Sequence, residues 1–132
     1  MKYLLDADAL LALGIDHHQA HLRVSKWVET LRHGAGAELA TCAITELAFV
    51  RIGAAAGYCV DVGAARRLIA ALRARGTANF GLLPDGLGVA ALPAWANTPS
   101  RTTDGHLFAL AKHHGAELAT LDRGIPGAFL IP

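Results

Sequence analysis

Four carboxylates stand at positions where the surrounding sequence is apolar. Asp6 ends a short apolar run at the N-terminus, and Asp122 ends a similar run near the C-terminus. Glu46 lies inside the apolar segment 43–50, while Asp104 follows a loop that contains two prolines. An isolated carboxylate is costly to bury unless it is paired or bound to a cation. The four positions therefore predict acids that converge on one site rather than an ordinary charged surface.

The chemistry of such a site follows from its oxygen ligands. Like charges gathered in one place raise the pKa of at least one member, and a divalent cation removes that conflict. Because neither cysteine nor clustered histidine accompanies the acids, Mg²⁺ or Mn²⁺ is favoured over zinc. A cation held by carboxylates and waters can activate a water and neutralise a phosphodiester. The acids thus predict metal-assisted hydrolysis of a phosphodiester.

Each acid taken alone also has a purely structural interpretation. Asp104 would interact favourably with the first turn of a helix, and Asp122 suits a turn. Glu46 would fit the solvent face of its helix. Asp6 is hardest to explain in this way, because it ends an apolar strand. The combination of the four acids, rather than any single member, favours a functional site.

Short apolar strands alternate with helices along the chain, which predicts an α/β domain with a mainly parallel sheet. In such sheets ligands bind beyond the carboxyl ends of the strands, so the residues that directly follow strands become the candidates. The expected strands are Lys2–Leu5, 39–43, Asn79–Leu83, 117–121 and 128–131.

The spacing of apolar residues predicts the helices between these strands. They cover 18–33, 46–56, 60–75 and 103–114. Thr45 and Thr103 are placed to cap the second and the fourth of these helices. Arg73, in the third helix, is expected to point away from the core.

Length and composition predict a single globular domain over residues 1–132. The chain is 53% hydrophobic and 17% charged, with a mean hydropathy of +0.35, which excludes disorder. Charges interrupt every apolar run before the ~18 residues of a membrane span, and Asp6 comes too early for a secretory signal. A cytoplasmic protein is therefore expected, with Cys42 and Cys59 as reduced thiols.

The net charge of +1 is unlike that of proteins that coat nucleic acid by bulk charge. Contact with nucleic acid would therefore depend on locally placed arginines. Arg51 follows Glu46 on the same predicted helix. Arg101 lies close to Asp104 in the sequence, and Arg123 lies next to Asp122. Arg51 would either contact phosphate or pair with a carboxylate, whereas Arg101 and Arg123 are the best candidates for local contact with nucleic acid.

Four segments carry a resemblance to a known family. They are residues 4–12 (LLDADALLA), 43–51 (AITELAFVR), 103–111 (TDGHLFALA) and 118–124 (LATLDRG). Each segment is weak alone, but their order and spacing together are specific. The chain from residue 2 to about residue 131 resembles a PIN domain, most closely the VapC type of toxin ribonuclease.

The resemblance implies a three-layer α/β/α sandwich around a parallel sheet, often dimeric. It also implies Mg²⁺-dependent cleavage of RNA, commonly a structured RNA such as tRNA, and a VapB-like antitoxin that blocks the site. Asp6 and Asp104 would bind the metal, and Glu46 would help to hold it or position water. Asp122 would complete the acidic pocket, and Thr120 would lend it a hydroxyl.

Two departures from the family pattern lie at this site. Members usually have Asp-Thr-Asn at the first motif, whereas this chain has Asp6-Ala7-Asp8, which loses a hydroxyl and adds a fifth carboxylate. Gly105 follows Asp104 where a better helix former is usual, at a cost of at most about 1 kcal/mol.

A group of three histidines has helical spacing that would suit zinc. His17, His18 and His21 have only Asp16 as an acidic companion, so a solvated helix face is the expected role.

Two other functions are compatible with the sequence. A PIN-like module would bind RNA or a partner without cutting, and its affinity for RNA would not respond to chelators. A haloacid-dehalogenase-like phosphatase would use Asp6 and Asp8 as nucleophile and acid, although that class also needs paired terminal acids and a lysine. Metal-dependent cleavage that is lost in Asp6→Asn is the result expected of a nuclease.

Overall fold

The computed structural model describes residues 1–34, 36–75 and 79–132. Within these residues, five parallel strands form one sheet in the order β3-β2-β1-β4-β5. The strands are β1 (Lys2–Leu5), β2 (Glu38–Cys42), β3 (Asn79–Leu83), β4 (Glu117–Thr120) and β5 (Phe129–Leu130). Every predicted strand is present, and no end differs by more than one residue.

The helices are α1 (Ala7–Gly14), α2 (His21–Arg32), α3 (Ala43–Ala55), α4 (Val62–Ala74) and α5 (Thr102–His113). Two 3₁₀ turns, Val89–Ala91 and Pro99–Arg101, interrupt the long loop between β3 and α5. The prediction of an α/β fold with a parallel sheet is confirmed. None of the helices in the described part of the chain is long and apolar enough to cross a membrane.

Successive strand residues point to opposite faces of the sheet, and each face of this sheet is covered by helices. Leu5 of β1 and Leu39 of β2 belong to the apolar core that contains residues of α1 to α4. Their neighbours Leu4 and Ala40 belong to a second core beneath α5. The predicted three-layer sandwich is therefore present, with two cores separated by the sheet.

The strand order brings three chain segments together at the carboxyl edge of the sheet. β1 lies between β2 and β4, and Leu5 is in register with Ala119 of β4. The backbone N–H of Asp6 extends this pairing by donating to the carbonyl of Ala119 at 3.1 Å. The segments that follow β1, β2 and β4 consequently lie side by side, which is the condition for their acids to meet.

The predicted helix caps are wrong at two places. Thr45 is the third residue of α3, because this helix begins directly after β2 with Cys42 at its N-cap; the Thr45 hydroxyl instead accepts a hydrogen bond from the Cys42 N–H. Thr103 lies inside α5, because the 3₁₀ turn Pro99–Arg101 runs straight into that helix and places Arg101 at the N-cap.

The helix α1 was not anticipated from the sequence, which shows only an apolar stretch there. Its start is defined by Asp6, whose carboxylate occupies the N-cap. Asp6, which the sequence predicts to bind a metal ion, therefore also caps the N-terminus of a helix.

Candidate active site

Asp6 is held at the centre of the carboxyl edge by hydrogen bonds to both of its carboxylate oxygens. Its Oδ1 accepts the backbone N–H of Ala9 at 2.9 Å, and its Oδ2 accepts the hydroxyl of Thr120 at 2.5 Å. Only 7% of the residue is exposed. The position after β1 and the cap of α1 together fix this carboxylate.

Burial makes Asp6 an unusual acid. The pKa of Asp6 is raised from 3.8 to about 6, chiefly because the side chain is removed from water, although the hydrogen bonds from Thr120 and Ala9 act in the opposite direction. The negative charges of Asp8 and Asp104 contribute to this increase, which places both of these acids close to Asp6. Near neutral pH the ionised form of Asp6 is therefore available but poorly stabilised by the protein alone.

Thr120 connects Asp6 to the segment that carries Asp122. While its hydroxyl donates to Asp6, its oxygen accepts the backbone N–H of Asp122 at 3.0 Å. The Asp122 side chain then accepts the N–H of Gly124 at 2.7 Å, which closes a tight turn after β4. Asp122 is exposed, and its backbone position is tied to Asp6 through one side chain.

Asp104 approaches the same site from α5, on the other face of the sheet. It lies in the first turn of that helix and is partly buried. Burial raises its pKa, the charge of Asp122 raises it further, and Arg101 lowers it. Asp6, Asp8, Asp104 and Asp122 thus form one electrostatic cluster, which is called the acidic pocket below.

Gly105 explains how the start of α5 is held in place. A Cβ at this position would collide with the Cβ of Ala96 and would lie 3.3 Å from Cδ of Pro93. The loop before α5 therefore packs directly against the helix backbone beside Asp104. The glycine, which departs from the family pattern, serves this close approach.

Glu46 has a different environment from the other acids. Its Oε2 accepts the Thr41 hydroxyl at 2.6 Å and one guanidinium nitrogen of Arg73 at 2.6 Å, while Oε1 accepts the other at 3.3 Å. Burial alone would raise its pKa, but these hydrogen bonds and the charge of Arg73 lower it. Glu46 does not contribute to the raised pKa of Asp6 or Asp104. The structure therefore gives Glu46 a cationic partner, whereas the acidic pocket has a concentration of negative charge.

A family model described as PIN domain matches residues 3–128. The chain belongs to the PIN domain family. The match spans β1 to the loop before β5, and so contains every residue of the acidic pocket as well as Glu46.

Curated relatives place this PIN domain among the VapC-type proteins. It is 35% identical over 127 residues to Ribonuclease VapC38 of Mycobacterium tuberculosis strain H37Rv, covering 92% of this chain and 86% of the relative. It is 32% identical over 126 residues to Ribonuclease VapC29 of strain CDC 1551, covering 95% and 89%. The resemblance seen in the four sequence segments is confirmed.

A solved structure shares the fold of this PIN domain at low sequence identity. A chain in the crystal structure of VapBC2 from Rickettsia felis, bound to a DNA fragment from its promoter, superposes with a TM-score of 0.65. The identity is 13%, and the match covers 98% of this chain and 97% of that one. The five-strand sheet with its flanking helices is therefore a fold that this chain shares with a chain of that VapBC2 structure.

The donor set of the acidic pocket fits a hard divalent cation of the kind that PIN domains imply. Within residues 1–34, 36–75 and 79–132, no three His, Cys, Asp or Glu side chains come close enough together to enclose an ion. Mg²⁺, however, is commonly bound by one or two carboxylates and several waters rather than by a protein cage. Asp6 and Asp104 have raised pKa values because negative charge is concentrated around them, and a cation would relieve that repulsion.

The three arginines predicted to bind RNA differ in their surroundings. Arg51 and Arg123 are exposed. Arg101 donates to the carbonyl of Gly124 at 2.6 Å and lies over the ring of Trp95, 5.0 Å from its centroid. Arg101 therefore links the start of α5 to the turn after β4. Its contact with a phosphate group stays a prediction.

Two residues near the candidate site were missed or misplaced by the sequence analysis. Arg73 does not point away from the protein but pairs with Glu46; its spacing of four from buried Ile69 was the available signal that the two share a helix face. His18 is buried and contacts Asp8, whereas a solvated position was expected. His18 precedes α2, so helical periodicity carried no information about it.

Proposed function

We propose that this protein is a divalent-metal-dependent endoribonuclease, with Mg²⁺ or Mn²⁺ as the cofactor, and the toxin of a VapBC-type pair. The observation that carries the proposal is the acidic pocket. Its buried member, Asp6, has a pKa of about 6 and is joined by Thr120 to the segment of Asp122, with Asp104 close by. Such a concentration of carboxylates at the carboxyl edge of a sheet is suited to phosphodiester hydrolysis.

In this reaction Asp6 and Asp104 would hold the cation. When bound, it would supply an activated water and neutralise charge that develops on the phosphate. The hydrogen bonds from Ala9 and Thr120 fix the orientation of Asp6, so that its carboxylate need not reorganise when substrate binds. Asp122 is exposed, with one oxygen occupied by Gly124, and its second oxygen would orient a water next to the site.

Glu46 would act as an ionised carboxylate that positions water, because Arg73 keeps its pKa low. The substrate would be a structured RNA such as tRNA. Recognition would rest on the locally placed cations Arg51, Arg101 and Arg123, because the net charge of the chain is only +1.

A VapB-like antitoxin is the proposed protein partner, and the names of the relatives and of the solved complex support it. An apolar groove of about 490 Å³ between α3 and α4 would accommodate part of such a partner, since Leu47 and Val62 are exposed along it and Glu46 lies at its border. A homodimer and a cytoplasmic location are also proposed; the small residues of α3 would allow close packing between copies.

The test is cleavage of a small-RNA pool by antitoxin-free protein, in Mg²⁺, in Mn²⁺ and in EDTA. Wild type, Asp104→Asn and the matched surface variant Glu29→Gln are compared, because the ion pairs of Glu29 in the described part of the chain are with Arg32 and His33, away from the acidic pocket. Discrete fragments are expected from wild type and Glu29→Gln with metal, and none from Asp104→Asn or in EDTA.

Two results would contradict the proposal. Cleavage that persists in EDTA or in Asp104→Asn would exclude the acidic pocket as the source of activity. Binding of RNA without cleavage, unaffected by EDTA in a folded protein, would identify a non-cutting module instead.

A further inference from the structure

We propose that His18 is a positioning residue that holds Asp8 in the acidic pocket and thereby makes Asp8 a functional carboxylate of that pocket. The inference rests on the proposed metal-dependent nuclease function and extends it to two residues that neither the fold nor the comparisons assign.

The contact is direct and joins a buried ring to an exposed acid. Nε2 of His18 lies 3.2 Å from Oδ1 of Asp8. The His18 side chain is 7% exposed, while that of Asp8 is 61% exposed. A solvent-exposed carboxylate would normally sample several rotamers, so a hydrogen bond to a fixed buried ring restricts it.

The hydrogen bonds of His18 determine which nitrogen carries the proton. The backbone N–H of Ala20 donates to Nδ1 at 3.0 Å, so Nδ1 must be the acceptor. The proton of the neutral ring therefore lies on Nε2, which donates to Asp8. One ring thus connects the backbone at the start of α2 to the first turn of α1.

The ring is also held from the side. Tyr58 stacks on it with 5.7 Å between ring centroids and 28° between planes. The backbone of His18 is fixed by its N–H, which donates to Ile15 at 3.1 Å, and by its carbonyl, which accepts from His21 at 3.0 Å. These contacts give His18 the rigidity that a positioning residue requires.

Asp8 is placed where its orientation matters. It lies two residues after Asp6 in the first turn of α1, and its charge is felt at the buried Asp6 carboxylate. Because His18 occupies Oδ1, Oδ2 is the oxygen that remains available to a cation or to one of its waters. Partners that orient the carboxylates of a metal site commonly change affinity or activity about 10–100-fold when removed.

The two neighbouring histidines serve as internal comparisons. His17 is exposed and contacts Asp16 at 3.3 Å, and His21 lies 2.7 Å from the carbonyl of Ala12. Neither contacts an acid of the acidic pocket. His17→Ala is therefore the matched control.

The primary measurement is the affinity for Mn²⁺, read from the loss of the free Mn²⁺ signal in electron paramagnetic resonance. Wild type, His18→Ala, His18→Gln, Asp8→Ala, the double variant and His17→Ala are titrated. We expect about tenfold weaker binding for His18→Ala and for Asp8→Ala, and no further loss in the double variant. His18→Gln should recover much of the affinity, because its amide N–H replaces the Nε2 donor, and His17→Ala should bind as wild type.

RNA cleavage by the same variants gives the second readout. His18→Ala should lower kcat about tenfold with little change in KM, since orientation rather than RNA binding is lost. Wild-type Mn²⁺ affinity in His18→Ala, or an equal loss in the Asp8→Ala background, would overturn the inference.

Two further outcomes are informative. If His18→Ala does not fold, His18→Gln and Asp8→Ala carry the test, and wild-type Mn²⁺ affinity in Asp8→Ala would overturn the inference. If wild type itself binds no Mn²⁺, the proposed metal dependence fails and this inference fails with it, which is distinguishable from failure of the His18 role alone.

Discussion

The hydroxyl of Thr120 donates a hydrogen bond to Asp6 across two neighbouring strands, although the residues are 114 positions apart in the chain. The same oxygen accepts the N–H of Asp122. Through this one side chain the ends of β1 and β4 share a hydrogen-bonded unit, so the positions of two pocket acids are coupled.

Replacement of Thr120 tests this coupling. Thr120→Val removes the donor that lowers the pKa of Asp6, so that pKa should rise above about 6 and less Asp6 should be ionised at neutral pH. In a plot of cleavage rate against pH, the acidic limb should therefore move to higher pH. The free energy of unfolding should fall by about 1–3 kcal/mol, because the Asp122 N–H loses its acceptor. Thr120→Ser keeps the hydroxyl and should behave as wild type; equal profiles for Val and Ser would contradict the coupling.

The raised pKa of Asp6 predicts a pH-dependent stability of the metal-free protein. Between its ordinary value of 3.8 and about 6, the folded protein holds a proton that the unfolded chain has released. Stability contributed by this group is therefore present at low pH and lost as pH rises through that window. Asp6→Asn keeps a side chain that can cap α1 and avoids the cost of burying an ionised carboxylate. Above pH 6 this variant should therefore be more stable than wild type by on the order of 2–3 kcal/mol.

Urea unfolding of wild type and Asp6→Asn in EDTA measures this difference. The difference in unfolding free energy between the two proteins should disappear as pH falls from about 6 to 3.8. At neutral pH, added Mn²⁺ should reduce this difference, because it stabilises wild type alone. A gap that is the same at every pH would show that Asp6 is not the titrating group.

Gly105 should not tolerate a side chain. In Gly105→Ala the new Cβ meets the Cβ of Ala96, which has no flexible atoms to move aside, so the loop or α5 must shift. We expect a loss of about 1–3 kcal/mol in unfolding free energy and a lower cleavage rate, because Asp104 is the preceding residue. Adding Ala96→Gly to Gly105→Ala should restore part of the unfolding free energy and part of the cleavage rate. If the effects of the two substitutions on unfolding free energy simply add, the two residues do not meet.

The pairing of Glu46 with Arg73 predicts a small effect with the opposite pH dependence. The folded pKa of Glu46 lies below its ordinary value of 4.5, so its contribution to stability is present above that value and lost as pH falls through the folded pKa. Arg73→Gln should cost less than about 1 kcal/mol at neutral pH, because the Arg73 side chain is 34% exposed and solvent screens the pair.

Arg67→Gln is the matched control for this variant, since Arg67 is exposed on the same helix. The free energy of unfolding in urea is measured near neutral pH and at a pH below the folded pKa of Glu46. It should differ between the two variants only at the higher pH. An effect of Arg67→Gln as large as that of Arg73→Gln would indicate general charge repulsion in α4 rather than a specific pair.

Much of the fold was determined by local sequence. Apolar runs of four or five residues, separated by helical spacing, are sufficient to specify strands and helices, because backbone alternation and helical periodicity are local properties. Once the sheet is parallel, the residues that follow its strands share one edge, and the sequence therefore predicts that the acids at strand ends and helix starts converge there. Among the α-helices of the described residues, α1 is the one that the sequence did not predict, because only an apolar stretch follows Asp6 there.

The tertiary structure alone decided how the acids are partnered. Glu46 meets Arg73 because α3 and α4 pack with one particular rotation, and Asp8 meets His18 because a loop folds back on α1. Likewise, Gly105 is needed because the preceding loop presses against α5. The pKa of Asp6 depends on burial from several elements at once. Residue types and spacing determined which chemistry was available, whereas long-range packing determined the charge environment of each carboxylate, because burial and electrostatics depend on neighbours that are distant in sequence.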